Sequence, residues 1–209
     1  MSHDETVIFY HAVPSRSMVV HWLLEELGAP YRIERMRLDQ GDQRKPEFLA
    51  LNPMGKVPVI VHHGVVITEV AAICAYLADA FPDAGLAPPI GDPQRGTYLR
   101  WLVFGPASLE PAVTDRMFNR PPAEPRALGY GDFDRTMDTL AGALTPGPYL
   151  LGERFSAADI VVGANLMWAS MMGAIPERPA FEAYASRLIA RPARQRADAE
   201  EQEIAGVAG

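Results

Sequence analysis

The chain has 209 residues, 48% of them hydrophobic, and carries 19 Lys and Arg against 26 Asp and Glu for a formal net charge of -7. That is enough apolar material for a globular core, in one large domain or two small ones. The acidic balance argues against nucleic acid as a partner, because phosphate binding rests on Lys and Arg.

The start, Met1-Ser2-His3-Asp4-Glu5, is polar and acidic and lacks the basic head and apolar run of a signal peptide. Val7-Ile8-Phe9-Tyr10 is a short apolar run that reads as a buried strand. A loop with Pro14 follows, and from Ser17 the spacing of Val19, Val20, Leu23, Leu24 and Leu27 predicts a helix, with Ser17 as N-cap and Gly28 at the C-terminal cap. Tyr31 to Leu38 reads as a second strand, and Pro46 is placed to open a short helix. Val57-Pro58-Val59-Ile60-Val61 and Val65-Val66-Ile67 read as a hairpin turning at Gly64. His62-His63 in that hairpin reads as a solvated strand end rather than a metal site, since neighbours on a strand point to opposite faces. Thr68-Glu69 opens a helix through Ala72, Ile73, Tyr76 and Leu77 that stops near Phe81-Pro82. The order β-α-β-α-β-β-α, with a parallel first pair and an antiparallel hairpin, is thioredoxin-like in outline.

Residues 83–92 are rich in Pro and Gly and form the expected linker between an α/β domain at 1–82 and an all-helical domain at 93–209. The latter begins with a long helix from Pro93 to about Phe118, bent at Pro106 and Pro111. Further helices are expected at about 130–144, from Ser156, at 179–191 and from Pro192 to about Glu203. Ser156 and Asp159 stand three apart, an acidic variant of the capping box. No apolar stretch reaches the ~20 residues that span a bilayer, so no membrane association and a cytoplasmic location are expected. The last residues, Gly206 to Gly209, read as the one unstructured stretch. A lone cysteine, Cys74, excludes an internal disulfide, and no Cys/His cluster has zinc-ligand spacing, so no metal is expected.

Three places carry chemistry. Pro58 cannot donate to a β-ladder, so it belongs at an edge or bulge, where the free N–H and C=O of Val57 could pair with an extended peptide. The alternative is an edge proline that only blocks aggregation. Thr68-Glu69 sits at a helix start, where backbone N–H groups favour a carboxylate and Glu69 could receive an ammonium group. The alternative is simple capping. In the loop Pro14-Ser15-Arg16-Ser17, a hydroxyl near a helix N-terminus could donate to a thiolate and make a bound thiol nucleophilic. Ser17 is equally an N-cap, whereas Ser15 lies farther out in the loop.

Together these features resemble the glutathione transferase superfamily. The resemblance is carried by the segment Phe48 to Val59 around Asn52-Pro53-Met54-Gly55-Lys56-Val57-Pro58, by Ile67 to Leu77 around Thr68-Glu69-Val70, and by Pro148 to Ile160 in the helical half. The start, Phe9-Tyr10-His11-Ala12 through Ser15-Arg16-Ser17 to Gly28, is similar to bacterial members with a serine-bearing loop. The resemblance implies that glutathione, as co-substrate, lies along the N-terminal domain. Val57 main-chain groups would pair with its cysteinyl unit, Pro58 would be cis, Glu69 would face the γ-glutamyl ammonium, and Lys56 would reach a carboxylate. Ser15 is the first choice to meet the sulfur and Ser17 the second, with Tyr10 third. A small hydrophobic electrophile would sit near Phe104, Ser108, Met117 and Phe118, and the protein would be a homodimer.

Two departures stand out. Val70 stands where many members carry a serine that helps hold the γ-glutamyl carboxylate; the N–H survives, one hydrogen bond is lost, and the Thr68 hydroxyl is the candidate to compensate. Pro14 and Arg16 stand where other classes carry a catalytic serine or cysteine, so a mixed-disulfide mechanism on a loop cysteine is not expected. The readings left open are a transferase, a binding or regulatory protein on the same fold, and a glutathione-dependent reductase or isomerase.

Overall fold

The structure, a computed structural model, describes residues 5–121 and 123–206. The first four residues of the acidic start and the last three of the C-terminal stretch lie outside the described residues. The chain divides into two compact units: the chain up to Ala84 together with the segment from Pro192 onward, and Gly85–Arg191.

In the first unit the elements run β1 (Val7–His11), α1 (Ser17–Leu27), β2 (Tyr31–Arg35), α2 (Pro46–Leu49), β3 (Val59–His62), β4 (Val65–Thr68) and α3 (Val70–Ala80). The sheet order is β2-β1-β3-β4, with β1 and β2 parallel and the other two pairs antiparallel. This is the thioredoxin-like arrangement expected from the sequence. Val7, Phe9 and His11 alternate into the interior along β1, where Leu23, Leu24, Ile60, Ile73 and Leu77 are fully buried. Gly28 ends α1 at φ 61, as its left-handed cap requires.

Three local expectations change. Ser17 is not the N-cap of α1; it is the first helical residue, the cap position is Arg16, and no side chain caps there. Instead Ser15 Oγ accepts the Ser17 N–H at 3.0 Å. Pro58 does not lie on an edge strand, because β3 is internal, between β1 and β4. It is tolerated because the paired residues begin at Val59, so its missing N–H falls before the ladder. The histidine pair is not a solvated strand end: His62 is 1% exposed, and His63 leaves the strand at φ 51.

The second unit holds α4 (Arg95–Phe104), α5 (Glu110–Met117), α6 (Phe133–Ala143), α7 (Ala157–Met171) and α8 (Pro179–Ile189). The bend foreseen in the long helix is a π turn at Gly105–Leu109 that contains Pro106. A side chain at Gly105 would put its Cβ 2.8 Å from Val161 Cγ1, so glycine permits the close approach of this turn to α7. The Ser156–Asp159 capping box is present. Asp159 also accepts from the Leu150 N–H at 2.9 Å and from the Tyr184 hydroxyl at 2.9 Å, which joins the preceding loop and α8 to the head of α7.

The last helix, α9 (Pro192–Gly206), packs on α1 in the first unit and not with the helical domain that the sequence order suggests. Ala193, Ala197 and Glu201 are buried at four-residue spacing, so one face of α9 turns inward. Arg194 stacks over Trp22, and Arg196 pairs with Glu25 at 2.6 Å.

Replacing Asp159 by alanine leaves the Leu150 and Ser156 N–H groups and the Tyr184 hydroxyl without their buried acceptor. The expected loss is about 3 kcal/mol or more, read by urea denaturation; a loss within about 0.5 kcal/mol would show that Asp159 is not the joint described.

Candidate functional site

Strand register gathers the candidate residues at one end of the sheet. Tyr10 pairs with Val59, and Val59 pairs with Thr68. The loop that follows β1, the Val57-Pro58 segment that precedes β3, and Glu69 just after β4 therefore lie at the same end. Tyr10 stays with the strand, packs edge-on against Phe48, and borders a cavity of about 250 Å³ with Met36, Arg37 and Phe48.

The serine loop is closed by its own hydroxyls. Ser15 Oγ lies 2.7 Å from the Ala12 carbonyl oxygen and 2.6 Å from Ser17 Oγ. Ser17 is fully buried; its Oγ accepts the Ala12 N–H at 3.1 Å and lies 2.7 Å from His11 Nδ1. The other ring nitrogen of His11, Nε2, lies 3.0 Å from Glu201 Oε2. A continuous hydrogen-bonded chain thus runs from half-buried Ser15 through Ser17 and His11 to a carboxylate on α9. Glu201 also holds His21 Nδ1 at 2.7 Å, and His21 Nε2 meets Glu200 at 3.0 Å and the Tyr31 hydroxyl at 3.1 Å.

This cluster shifts its own titrations. Burial pushes the His21 imidazole down, but the hydrogen bond and charge of Glu201, then Glu200, outweigh it and its pKa is raised. Burial pushes the Glu201 carboxyl up, but hydrogen bonds from His11 and His21 outweigh that and its pKa is lowered. Cys74 in α3 is fully buried, and burial alone raises its thiol far above the ordinary range, which leaves it a small hydrophobe.

Across the end of the sheet, the Val57–Pro58 bond is cis. The Val57 main chain makes no hydrogen bond to another described residue. The approach to it is fixed by Asn52, which is buried, donates from Nδ2 to the Lys56 carbonyl at 2.8 Å and accepts the Met54 N–H at 3.1 Å. Lys56 itself is exposed. Glu69 occupies the cap position of α3 at φ 67 and ψ 120, a region costly for a residue with a Cβ, and its side chain does not cap the helix. The capping alternative considered for Thr68-Glu69 therefore does not describe this site. The Glu69 carboxylate is exposed and has no partner among the described residues. Val70 begins α3, and Thr68 closes β4, both half-buried.

Of the residues named for the electrophile, Phe104 packs edge-on against Trp101, Ser108 lies in the π turn, Met117 ends α5 and Phe118 is 68% exposed. The second unit also holds a cavity of about 780 Å³, which Met117 lines with Asp115, Arg116, Tyr130 and Phe133, and which the other three do not touch.

The family model described as the glutathione S-transferase N-terminal domain matches residues 5–79, and that of the C-terminal domain matches residues 112–187. The chain is 30% identical to glutathione S-transferase hmp2 of Hypomyces subiculosus over 84% of this chain and 86% of that one. The chain belongs to the glutathione S-transferase family. It is also 29% identical to the disulfide-bond oxidoreductase YfcG of Escherichia coli strain K12, over 88% of this chain and 90% of that one. Among solved structures, a sphingomonad glutathione S-transferase complexed with glutathione is 31% identical with a TM-score of 0.77, over 93% of this chain and 98% of that one.

For this glutathione S-transferase family member, the sequence draws attention to both serines but not to what stands behind them. In sequence His11 is only the residue after a strand, and Glu201 only part of the last predicted helix. The available signal was alternation along β1, which places His11 on the same inward face as Val7 and Phe9. Nothing local pointed to Glu201.

The cluster gives stability a defined pH dependence. A raised His21 pKa contributes stability that is complete below its unfolded value near 6.5 and fades as pH rises through the folded value; a lowered Glu201 pKa contributes stability that is complete above its unfolded value near 4.5 and fades as pH falls through the folded value. Glu201→Gln is therefore expected to destabilise most between those two values, with the gap to the parent narrowing in both acid and alkaline directions. Denaturant midpoints across pH check this, and a gap independent of pH would contradict it.

Proposed function

We propose that this protein is a glutathione transferase that ionises the glutathione thiol at Ser15 and transfers the sulfur to a small hydrophobic electrophile. The observation that carries the reading is the chain Ser15–Ser17–His11–Glu201, which ends in a hydroxyl at the end of the sheet where Val57 and Glu69 are open. Family membership supports glutathione as the ligand. Val57 N–H and C=O hold its cysteinyl unit, Glu69 receives the γ-glutamyl ammonium, the Val70 N–H with the Thr68 hydroxyl takes the neighbouring carboxylate, Pro58 shapes the edge, and Lys56 reaches the remaining carboxylate.

The proton route follows from donors and acceptors. With His11 neutral, Nε2–H donates to Glu201 and Nδ1 accepts the Ser17 hydroxyl. The thiol proton passes to Ser15 Oγ, the Ser15 proton to Ser17 Oγ, and the Ser17 proton to His11 Nδ1. The S–H bond breaks, an N–H bond forms, and the new imidazolium rests against a buried carboxylate. Every hydroxyl then donates outward, so Ser15 stabilises the thiolate. The thiolate forms a C–S bond with the electrophile as the leaving group departs, and the proton returns along the same chain to that group or to water. Phe104, Ser108, Met117 and Phe118 are the side chains proposed to meet the electrophile, and a homodimer is the proposed assembly.

A second reading is favoured by the similarity to a disulfide-bond oxidoreductase. Here the thiolate attacks a disulfide, and a second glutathione releases the mixed disulfide, giving glutathione disulfide and two substrate thiols. The protein supplies no thiol, because Cys74 is buried. The two readings share the ionisation step and differ in turnover with an aromatic halide against a low-molecular-weight disulfide.

Calorimetry with glutathione should show millimolar or tighter binding. Ser15→Ala is expected to cost about 10- to 100-fold in kcat/KM, the worth of one charge-assisted hydrogen bond, and to raise the pKa of the bound thiol seen in the thiolate absorbance. Glu69→Gln is expected to weaken glutathione by about 10-fold or more while leaving kcat at saturation close to the parent's. Absence of glutathione binding would remove the reading; unchanged turnover in Ser15→Ala would remove the role given to the serine.

A further inference from the structure

The opposite end of the same sheet carries a second constellation that the thiol chemistry does not use. His62 closes β3, five residues beyond Val57 and so roughly 16 Å along an extended strand. The residue is 1% exposed, and its Nε2 has no hydrogen-bond partner among the described residues. Its other nitrogen, Nδ1, lies 3.0 Å from the Tyr76 hydroxyl, and the ring sits among Tyr76 and Phe81.

A buried ring nitrogen without a partner is costly in either protonation form. With Nδ1–H donating to Tyr76, what remains at Nε2 is a lone pair, and the tautomer is fixed by the group behind it, as for histidines that bind metals.

Two further donors converge on the lone pair. The positive φ of His63 turns its ring beside that of His62, with centroids 3.9 Å apart, where a strand would have sent it to the far face. Glu5, just ahead of β1, places Oε2 at 3.7 Å from His62 Nε2 and 3.4 Å from His63 Nε2. The three ligand atoms all lie within 4.8 Å of one another. Donors bound at about 2.0–2.1 Å on a tetrahedral ion stand roughly 3.3 Å apart, so two of these separations are near the edges of such a polyhedron.

We propose that His62, His63 and Glu5 form a site for one divalent transition cation, of the zinc type, with an open position toward solvent. Two imidazoles and one carboxylate suit zinc, nickel or copper, and do not suit magnesium or calcium, which take oxygen ligands. The ion ties the segment ahead of β1 to the β3–β4 turn, and its distance from Ser15 makes it structural rather than catalytic. The other histidine cluster in this unit, His11, His21 and Glu201, is a different case, since both nitrogens of each ring there already have partners.

The test uses the untagged full chain, stripped with a chelator and titrated with zinc chloride by calorimetry and by competition with a chromophoric indicator. The expected result is uptake of one zinc ion per chain with a rise in Tm. His63→Ala and Glu5→Gln, both at exposed positions, are each expected to weaken zinc by about 10-fold or more, with glutathione turnover unchanged and the fold intact by circular dichroism. Glu201→Gln is expected to leave zinc affinity as in the parent. No stoichiometric uptake at submillimolar zinc would overturn the proposal. So would affinity that ignores both His63→Ala and Glu5→Gln, or uptake that is lost with Glu201→Gln.

Discussion

The contact on which the first unit depends is the double engagement of one carboxylate. Glu201 accepts from His11 through one oxygen and from His21 through the other, with all three side chains buried. Removing such a carboxylate from water is expensive unless every lone pair finds a donor. Here the two rings supply the donors and small residues at Ala193 and Ala197 bring the helix close enough to reach them. The same carboxylate is the far end of the hydrogen-bonded path that begins at Ser15. Attachment of the last helix and readiness of the serine loop are therefore one interaction seen from two sides.

The loop itself shows how a few hydroxyls replace regular capping. The Arg16 side chain does not cap the helix, yet the Ser17 N–H is satisfied by Ser15 and the Ala12 N–H by Ser17. Each serine therefore satisfies a backbone N–H while its hydroxyl stays in the hydrogen-bonded path, so a structural duty leaves room for the role proposed for it. Glu69 divides the two roles differently. Its backbone is held at φ 67 while its carboxylate has no partner among the described residues, so the fold sustains an unfavourable conformation there without using the side chain for itself.

What was legible from sequence was local. The apolar strand at 7–10, the Gly28 cap and the Ser156–Asp159 box are each encoded within a few positions, and the structure has them where expected. Sequence and structure part where one backbone angle or one distant residue decides the outcome. His62 and His63 were separated by the rule for strands, and the positive φ of His63 suspends that rule. Pro58 was given an edge because its missing donor demands one, whereas ending the ladder one residue sooner meets the same demand inside the sheet. Glu201 lies 190 positions from His11, a separation at which no periodicity or spacing carries information.

The placement of α9 orders events during synthesis. Residues 85–191 are made between the two stretches that compose the first unit. Translation at ordinary rates takes several seconds over such a span. During that interval the nascent first unit has its sheet and both inward imidazoles but not the Glu201 carboxylate that receives them, so this half is completed only after the whole intervening unit has been made.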